Sequence, residues 1–191
     1  MIQKLSRKVV TTLVTASHQT IDDEQQEVYL YGMECFLNTG ITVCLLFIWG
    51  VFLDTLLETI IWIISFSLLR KYSGGYHAHS QLSCIVSSTL IGISNTFALN
   101  YFTPELCLLF PIFGLAIFVF IFLVPVISPT KPLSPLLAYR NKKIALFLII
   151  LYFFLSLILA PSIGITITHA TITTCILIIL GKLNFSIIKK G

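Results

Sequence analysis

The sequence predicts an all-α, polytopic membrane protein with about six transmembrane helices and an N-terminal amphipathic helix. Of its 191 residues, 57% are hydrophobic and only 10% are charged, whereas a soluble domain carries roughly 25% charged residues. The apolar residues are gathered into runs that turn-forming residues separate. We therefore treat residues 1–191 as one membrane-embedded domain. No basic stripe lies on a soluble region, so nucleic acid is not an expected partner.

The N-terminal region, residues 1–28, is predicted to contain the amphipathic helix. Its apolar stripe recurs at helical spacing and is formed by Leu5, Val9, Leu13 and Ala16. Such a helix either lies on the membrane surface or is a solvated helix packed against the rest of the protein. Thr20 is then predicted as the N-cap of a second helix, which has acidic residues in its first turn and continues into the first span.

Six apolar runs follow this region. Their limits are residues 33–52, 56–69, 84–101, 106–127, 144–160 and 165–180. Because a span needs about 20 residues, the second run must either borrow Asp54 and Thr55 or be tilted and packed against its neighbours. Pro111 and Pro125 predict kinks in the fourth run.

The distribution of basic residues predicts the topology. All 12 lie within residues 4–8, 70–71, 131–143 and 182–190, while the alternate loops contain only acidic groups. Six spans with both termini in the cytosol place every Lys and Arg on the cytosolic side. A four-span alternative with re-entrant segments would have to preserve this sorting. We therefore predict a multi-pass protein of the cell membrane whose polar loop, residues 70–83, is cytosolic.

This polar loop and the adjoining Cys84 contain the candidate chemistry. A thiol and an imidazole can act as nucleophile and base, and a cytosolic thiol stays reduced. On one straight helix, His77 and Cys84 would be about 10 Å apart along the axis, which is too far for proton transfer. A bend is therefore required, and Gly74 and Gly75 can supply it.

Two local features bear on this pair. Ser80 or Ser83 is predicted to cap a helix that starts just before Cys84, so that the helix dipole, together with Arg70 and Lys71, favours the thiolate. His79 is a rival base. A metal site formed by the two histidines and Cys84 has no fourth ligand nearby and fits no zinc pattern. We therefore predict neither a metal nor a cofactor.

The order of Arg70, then Gly74-Gly75-Tyr76-His77-Ala78, then Cys84 resembles the signature of the AgrB family, the membrane peptidases of Gram-positive quorum sensing. The resemblance covers essentially the whole chain, including its length, its amphipathic N-terminus and its second basic loop. It implies that an AgrD-like precursor peptide is cut in the cytosol near its C-terminal part. Cys84 would attack the scissile carbonyl, and His77 would accept the thiol proton. The resulting thioester would be released by an internal Cys or Ser of the peptide, which closes a thiolactone or lactone ring.

Several other residues are candidate supporting or substrate-binding groups. Arg70 either orients the loop or binds substrate carboxylates, or it is simply an anchor at the membrane interface. Gly74 and Gly75 set the backbone shape, and an amide of Gly75 can face an oxyanion. Glu34 either orients His77 as a third catalytic member or lies in the headgroup region. The basic cytosolic loop, residues 128–143, is either a membrane anchor or a grip for an acidic substrate segment, through Lys131, Arg140, Lys142 and Lys143.

Two other classes of function compete with a cysteine endopeptidase and cyclase. A small polytopic peptide transporter or export component would suit six kinked spans, but no charged residue lies mid-span with a partner and no nucleotide-binding loop occurs. A structural or sensor membrane protein is the third class. The expected partners are an AgrD-like precursor, membrane lipid and a second copy of the chain in a homodimer.

Overall fold

The computed structural model describes residues 2–17, 22–76, 80–101, 106–126 and 134–188. Within these ranges it contains seven α-helices and no β-strand. In chain order they are α1 (Ile2–Ser17), α2 (Asp23–Phe52), α3 (Leu56–Ser73), α4 (Gln81–Tyr101), α5 (Leu106–Leu123), α6 (Pro135–Ile158) and α7 (Pro161–Ile188). The all-α class is confirmed for the described part of the chain, and each apolar run coincides with one of the helices α2 to α7.

Among the described residues, four helices are long and apolar enough to cross a membrane. The qualifying stretches are Gln25–Phe52, Gln81–Tyr101, Pro135–Ile158 and Pro161–Asn184. In α5 the apolar stretch is shorter, Leu108–Leu123, and α3 carries Glu58, Arg70 and Lys71 within its 18 residues. These four helices support a membrane protein, while six spans remain a prediction.

The second helix starts at a different cap from the predicted one. The side chain of Asp22 caps this helix by accepting the N–H of Gln25 at 2.7 Å. This bond satisfies one of the amides that have no partner inside the first turn of a helix. The predicted position was therefore wrong, and Thr20 itself lies outside the described residues. From Asp23 the helix runs unbroken to Phe52, which confirms that it continues into the first apolar run.

The third helix gains its extra length at one end only. The second apolar run does not borrow Asp54 and Thr55, because Asp54 has a φ of 56° and Thr55 stands at the N-cap of α3. The helix instead continues beyond the run to Ser73. Only residues 74–80 of the predicted polar loop therefore lie between α3 and α4.

The predicted basic loop is also shortened, because α6 begins inside it. Ser134 caps this helix by accepting the N–H of Leu137 at 3.4 Å. Pro135 occupies the first position, where the missing N–H of proline does no harm. The basic residues at positions 140, 142 and 143 are therefore helical rather than part of a loop.

The bundle is organised around α7, which contacts α3, α4, α5 and α6. Half of its membrane-length stretch is buried, against 17% for the stretches of α2 and α4. Small side chains allow such close packing between membrane helices. Three buried threonines on α7 donate their hydroxyl protons to backbone carbonyls of the same helix, four residues earlier. These bonds satisfy the hydroxyls in an apolar environment, and the residues are Thr168, Thr171 and Thr174.

The first helix packs against α2 but leaves three members of its predicted apolar stripe, Leu5, Leu13 and Ala16, exposed, while Val9 is partly buried. Leu5 and Leu13 are 48% and 57% exposed, whereas Ser6 and Val10 are buried. The stripe is therefore not the face with which α1 packs. Exposed leucines in a row favour the membrane-surface alternative over a solvated, packed helix.

Candidate functional site

A short backbone segment after α3, the Gly-Gly segment (residues 74–76), is held by the side chain of Arg70. Gly74 and Gly75 have φ values of 70° and 130°, in the left-handed region that favours glycine. The Arg70 guanidinium donates through Nη1 to the carbonyl of Gly74 at 2.6 Å and through Nη2 to that of Tyr76 at 2.7 Å. These bonds hold the carbonyls on both sides of Gly75, so the structure favours Arg70 as the group that orients the loop.

Two neighbouring elements fix the Gly-Gly segment in place. Val126, which follows α5, donates its N–H to the carbonyl of Ser73 at 2.8 Å and pairs with Gly74 as an isolated β-bridge. Tyr76 donates its N–H to the carbonyl of Leu177 on α7 at 2.8 Å. The segment is thus anchored to α3, to the end of α5 and to α7.

The segment approaches α7 so closely that both sides require glycine. A Cβ atom on Gly181 would lie 2.7 Å from the amide nitrogen of Tyr76 and 2.8 Å from the carbonyl carbon of Gly75. A Cβ atom on Gly75 would meet the Arg70 guanidinium and the Leu177 carbonyl. The sequence analysis did not single out Gly181. An isolated glycine inside a helical pattern is the signal that could have found it.

Cys84 lies near the start of α4. Ser80, rather than Ser83, caps this helix, since its Oγ accepts the N–H of Ser83 at 3.1 Å and its carbonyl accepts the N–H of Cys84 at 3.0 Å. Cys84 is a partly buried free cysteine at the positive end of the helix dipole. The predicted helix start just before Cys84 is therefore confirmed.

Arg70 is close enough to Cys84 for their charges to interact. It lies beyond the apolar run of residues 56–69, at the end of α3. Burial lowers the pKa of Arg70 to about 10, and attraction to a thiolate at Cys84 opposes this fall. The guanidinium therefore stays charged at neutral pH.

Cys84 also lines a cavity of about 510 Å³ between α2, α3, α4 and α7, which we call the Cys84 cavity. Its walls are mainly apolar and include Leu46, Trp62, Phe66, Ile91 and Leu177. Polar groups join them, among them Asn38, whose Oδ1 is buried without a hydrogen-bond partner in the described part of the chain. An apolar cavity with a few polar groups and a nucleophile in its wall is typical of a substrate site.

Glu34 lies against the first turn of α4. Its Oε2 accepts a hydrogen bond from Nε2 of Gln81 at 2.6 Å, which joins α2 to the helix that carries Cys84. His77 lies outside the described residues, so its predicted contacts with Glu34 and Cys84 stay predictions. Gln81 was not singled out from the sequence, although its place in the first turn before Cys84 is a signal that could have found it.

The three described basic residues of the second loop do not meet at the cavity. Lys131 lies outside the described residues, whereas Arg140, Lys142 and Lys143 lie on the first turns of α6. None of these three lines the Cys84 cavity as described. The ammonium of Lys143 instead lies 4.5 Å from the ring centre of Tyr139 on the same helix. Their predicted role as a grip for the substrate remains untested.

This fold and site define the class: an all-helical membrane protein with a cysteine in the wall of an apolar cavity. The sequence model of the AgrB family, Accessory gene regulator B, matches residues 2–188. The chain belongs to this family, as the motif predicted.

Known relatives have similar lengths. A protein of Clostridium perfringens (strain SM101 / Type A), named as AgrB-like, is 31% identical over 93% of this chain and 87% of its own length. A second AgrB-like protein, from strain 13 / Type A of that species, is 28% identical over 83% and 77%. The Accessory gene regulator protein B of Staphylococcus aureus (strain bovine RF122 / ET3-1) is 23% identical over 68% and 70%. No solved structure matches the chain.

Proposed function

We propose that this chain is a membrane cysteine endopeptidase that cleaves the C-terminal part of an AgrD-like precursor through an acyl-enzyme on Cys84. Family membership supports a part in the accessory gene regulator system. The observation that carries the proposal is the position of Cys84, in a cavity wall near a helix N-terminus and close to the Arg70 guanidinium. By contrast, Cys35 and Cys44 are exposed on the apolar helix α2.

The reaction has two acyl transfers. In the first, the sulfur of Cys84 attacks the scissile carbonyl, His77 accepts the thiol proton, and the departing amine takes up a proton as the C–N bond breaks. In the second, a thiol or hydroxyl within the bound peptide attacks the thioester and passes its proton to His77. The ring closes, and the Cys84 sulfur leaves as a thiolate. When the internal nucleophile is a thiol, ring closure exchanges one thioester for another. Its rate advantage over hydrolysis then comes from the positioning of that nucleophile and the exclusion of water.

The arrangement of contacts supports a cytosolic position for the site. Glu34, Arg70, Gln81, Val126 and Leu177 meet at one end of the bundle through the hydrogen bonds described above. The other end of the bundle is where α2 connects to α3 and α6 connects to α7. There Gly50 of α2 lies against Thr59 of α3, and Gly164 of α7 lies against Ser156 of α6. By the positive-inside rule, the sorting of basic residues predicts that the end with Arg70 and Gln81 faces the cytosol.

The test is co-expression with the short peptide encoded beside the gene for this chain. We expect that peptide to have an amphipathic N-terminal helix, a central Cys or Ser and an acidic tail. Intact-mass analysis should find the shortened peptide with the wild-type chain and with Cys44→Ser, a matched control on α2. Cys84→Ser at equal membrane levels should give no thioester and no shortened peptide. Full processing by that variant would exclude the proposal.

A further inference from the structure

We propose that the Cys84 cavity binds the apolar side chain of the residue that precedes the scissile bond, and that His169 shapes this cavity by holding Trp62 in its wall. The inference rests on the proposed function, because it assigns the acyl-side subsite of that reaction. Trp62 is then a specificity-determining residue, and His169 is a positioning residue that does not touch the substrate.

Covalent geometry places the substrate side chain. In the acyl-enzyme, the carbonyl carbon is bonded to Sγ of Cys84, and the next carbon along the peptide carries the side chain in question. That side chain therefore lies within a few bonds of Sγ, where the described space is the Cys84 cavity. A volume of about 510 Å³ leaves room for one large side chain and its backbone.

The chemistry of the walls selects an apolar occupant. Leu46, Phe66, Ile91 and Leu177 face this space together with Trp62. Burying apolar surface there is favourable, whereas a carboxylate would lose its hydration beside these five side chains. The cation in the lining, Arg70, already donates to the carbonyls of Gly74 and Tyr76. Charged residues are therefore disfavoured before the scissile bond.

Trp62 is fixed in the wall by two contacts. Its side chain is only 2% exposed and stacks on Phe66 with ring centres 4.7 Å apart and planes 11° from parallel. Its Nε1 donates a hydrogen bond to Nδ1 of His169 on α7 at 3.0 Å. The stack sets the plane of the indole, and the hydrogen bond sets how far it reaches across the space between α3 and α7.

The His169 bond belongs to a chain of hydrogen bonds with a defined direction. An indole N–H can only donate, so Nδ1 accepts and the neutral imidazole carries its proton on Nε2. That proton is donated to Oγ of Ser94 at 3.0 Å, and the Ser94 hydroxyl donates to the carbonyl of Ile91 at 2.6 Å. The chain joins α3, α7 and α4, and both of its ends, Trp62 and Ile91, line the cavity.

The cavity is tested by alkylation of the full-length chain in lipid nanodiscs. The probes are N-acetyl aminoacyl chloromethyl ketones with phenylalanine, alanine or aspartate side chains. The Cys84 sulfur forms a bond to the methylene carbon, chloride leaves, and the thiol proton passes to a base or to solvent. Peptide mass mapping measures alkylation at Cys84 alone. The phenylalanine probe should react about tenfold faster than the alanine probe, with the aspartate probe slowest.

The outcomes separate this proposal from the one on which it rests. Equal rates for the phenylalanine and alanine probes would overturn the subsite while leaving Cys84 as the nucleophile. Failure of all three probes to alkylate Cys84 would overturn the nucleophile, and the subsite with it.

The role of His169 is tested with two substitutions of opposite expectation. His169→Leu removes the acceptor for Trp62, so the phenylalanine-to-alanine rate ratio should fall about tenfold through weaker probe binding, with the limiting rate preserved. His169→Gln supplies an amide oxygen and an amide N–H in similar places, and should restore the ratio. If both variants lose alkylation by every probe to the same degree, His169 serves only folding and the positioning role is wrong.

Trp62 has a matched control in the other tryptophan of the chain. Trp62→Ala deepens the cavity and should shift the preference toward a bulkier naphthylalanine probe. Trp49→Ala, on α2 and outside the cavity wall, should leave the order of the probes unchanged. The same shift in both variants would show that lost packing, rather than the cavity wall, governs the preference, and would overturn the assignment of Trp62.

Discussion

Replacing Arg70 with lysine keeps the positive charge but removes the paired hydrogen bonds that hold the Gly-Gly segment. The guanidinium reaches two carbonyls at once, at 2.6 and 2.7 Å, and a single ammonium group cannot reproduce that fork. A hydrogen bond from a charged donor contributes about 1.5–3 kcal/mol. Loss of the pair should therefore destabilise the ordered segment by about 3 kcal/mol. If only the ordered segment supports acylation, the rate should fall by as much as about 100-fold, the full factor applying when order and disorder are nearly balanced in the wild type.

Two measurements check this expectation. Single-turnover cleavage of the precursor reports the rate, and hydrogen exchange of the peptide that contains Tyr76 reports the order of the segment, because the Tyr76 amide is bonded to Leu177. Both should change in Arg70→Lys. Lys71→Gln removes a charge from an exposed neighbour and should stay within about twofold of wild type. A lysine variant with normal cleavage and normal exchange would refute the reasoning and show that charge alone matters.

Three other perturbations have defined outcomes. Gly181→Ala inserts a Cβ against the Gly-Gly segment and should lower the single-turnover cleavage rate at least about tenfold. Gly114→Ala, where a Cβ meets open space, should leave that rate unchanged. Equal activity in the two variants would contradict the close approach. Ser80→Ala removes the α4 cap and should lower the free energy of unfolding by about 1 kcal/mol, as measured by thermal melts in detergent. Replacing the exposed Ser87 by alanine should leave the melt unchanged. An unchanged melt for Ser80→Ala would contradict the cap. A spin label at Leu13 should be more accessible to oxygen than to a water-soluble relaxant, with a label at exposed Lys8 showing the reverse; the opposite order would mean that the α1 stripe faces water.

The bend at Gly74 and Gly75 shows what local sequence can predict. Glycine pairs permit a turn, and both residues do have positive φ values. The return of His77 onto Cys84 stays a prediction, because His77 lies outside the described residues. The helices were predictable for a similar local reason, because a chain in lipid must satisfy its own backbone groups and apolar runs therefore become helices. The ends of the helices were less predictable. The cap at Asp22 and the start of α6 at Pro135 depend on which of several polar side chains accepts a hydrogen bond from the backbone.

The anchors of the site could not be predicted in this way. Val126 and Leu177 contribute backbone groups, which any residue has, so their sequence contains no trace of the contact. The bond between Gln81 and Glu34 links residues 47 positions apart, and the bond between Trp62 and His169 links residues 107 positions apart. Such contacts follow from the packing of α2, α3, α4 and α7, and they became visible only once the helices were placed.

The hydrogen bond from Tyr76 to Leu177 has a consequence for biosynthesis. Leu177 leaves the ribosome about 100 residues after Tyr76, which corresponds to roughly 5–20 s of translation. During that interval Cys84 is already present, but the loop beside it lacks its anchor on α7. Newly made chains therefore acquire the ordered segment only after α7 has been made, and a chain truncated before residue 177 should carry the thiol without that order, as hydrogen exchange of its Tyr76 peptide would show. In this way the fold delays the ordering of the segment beside Cys84 until α7 is in place.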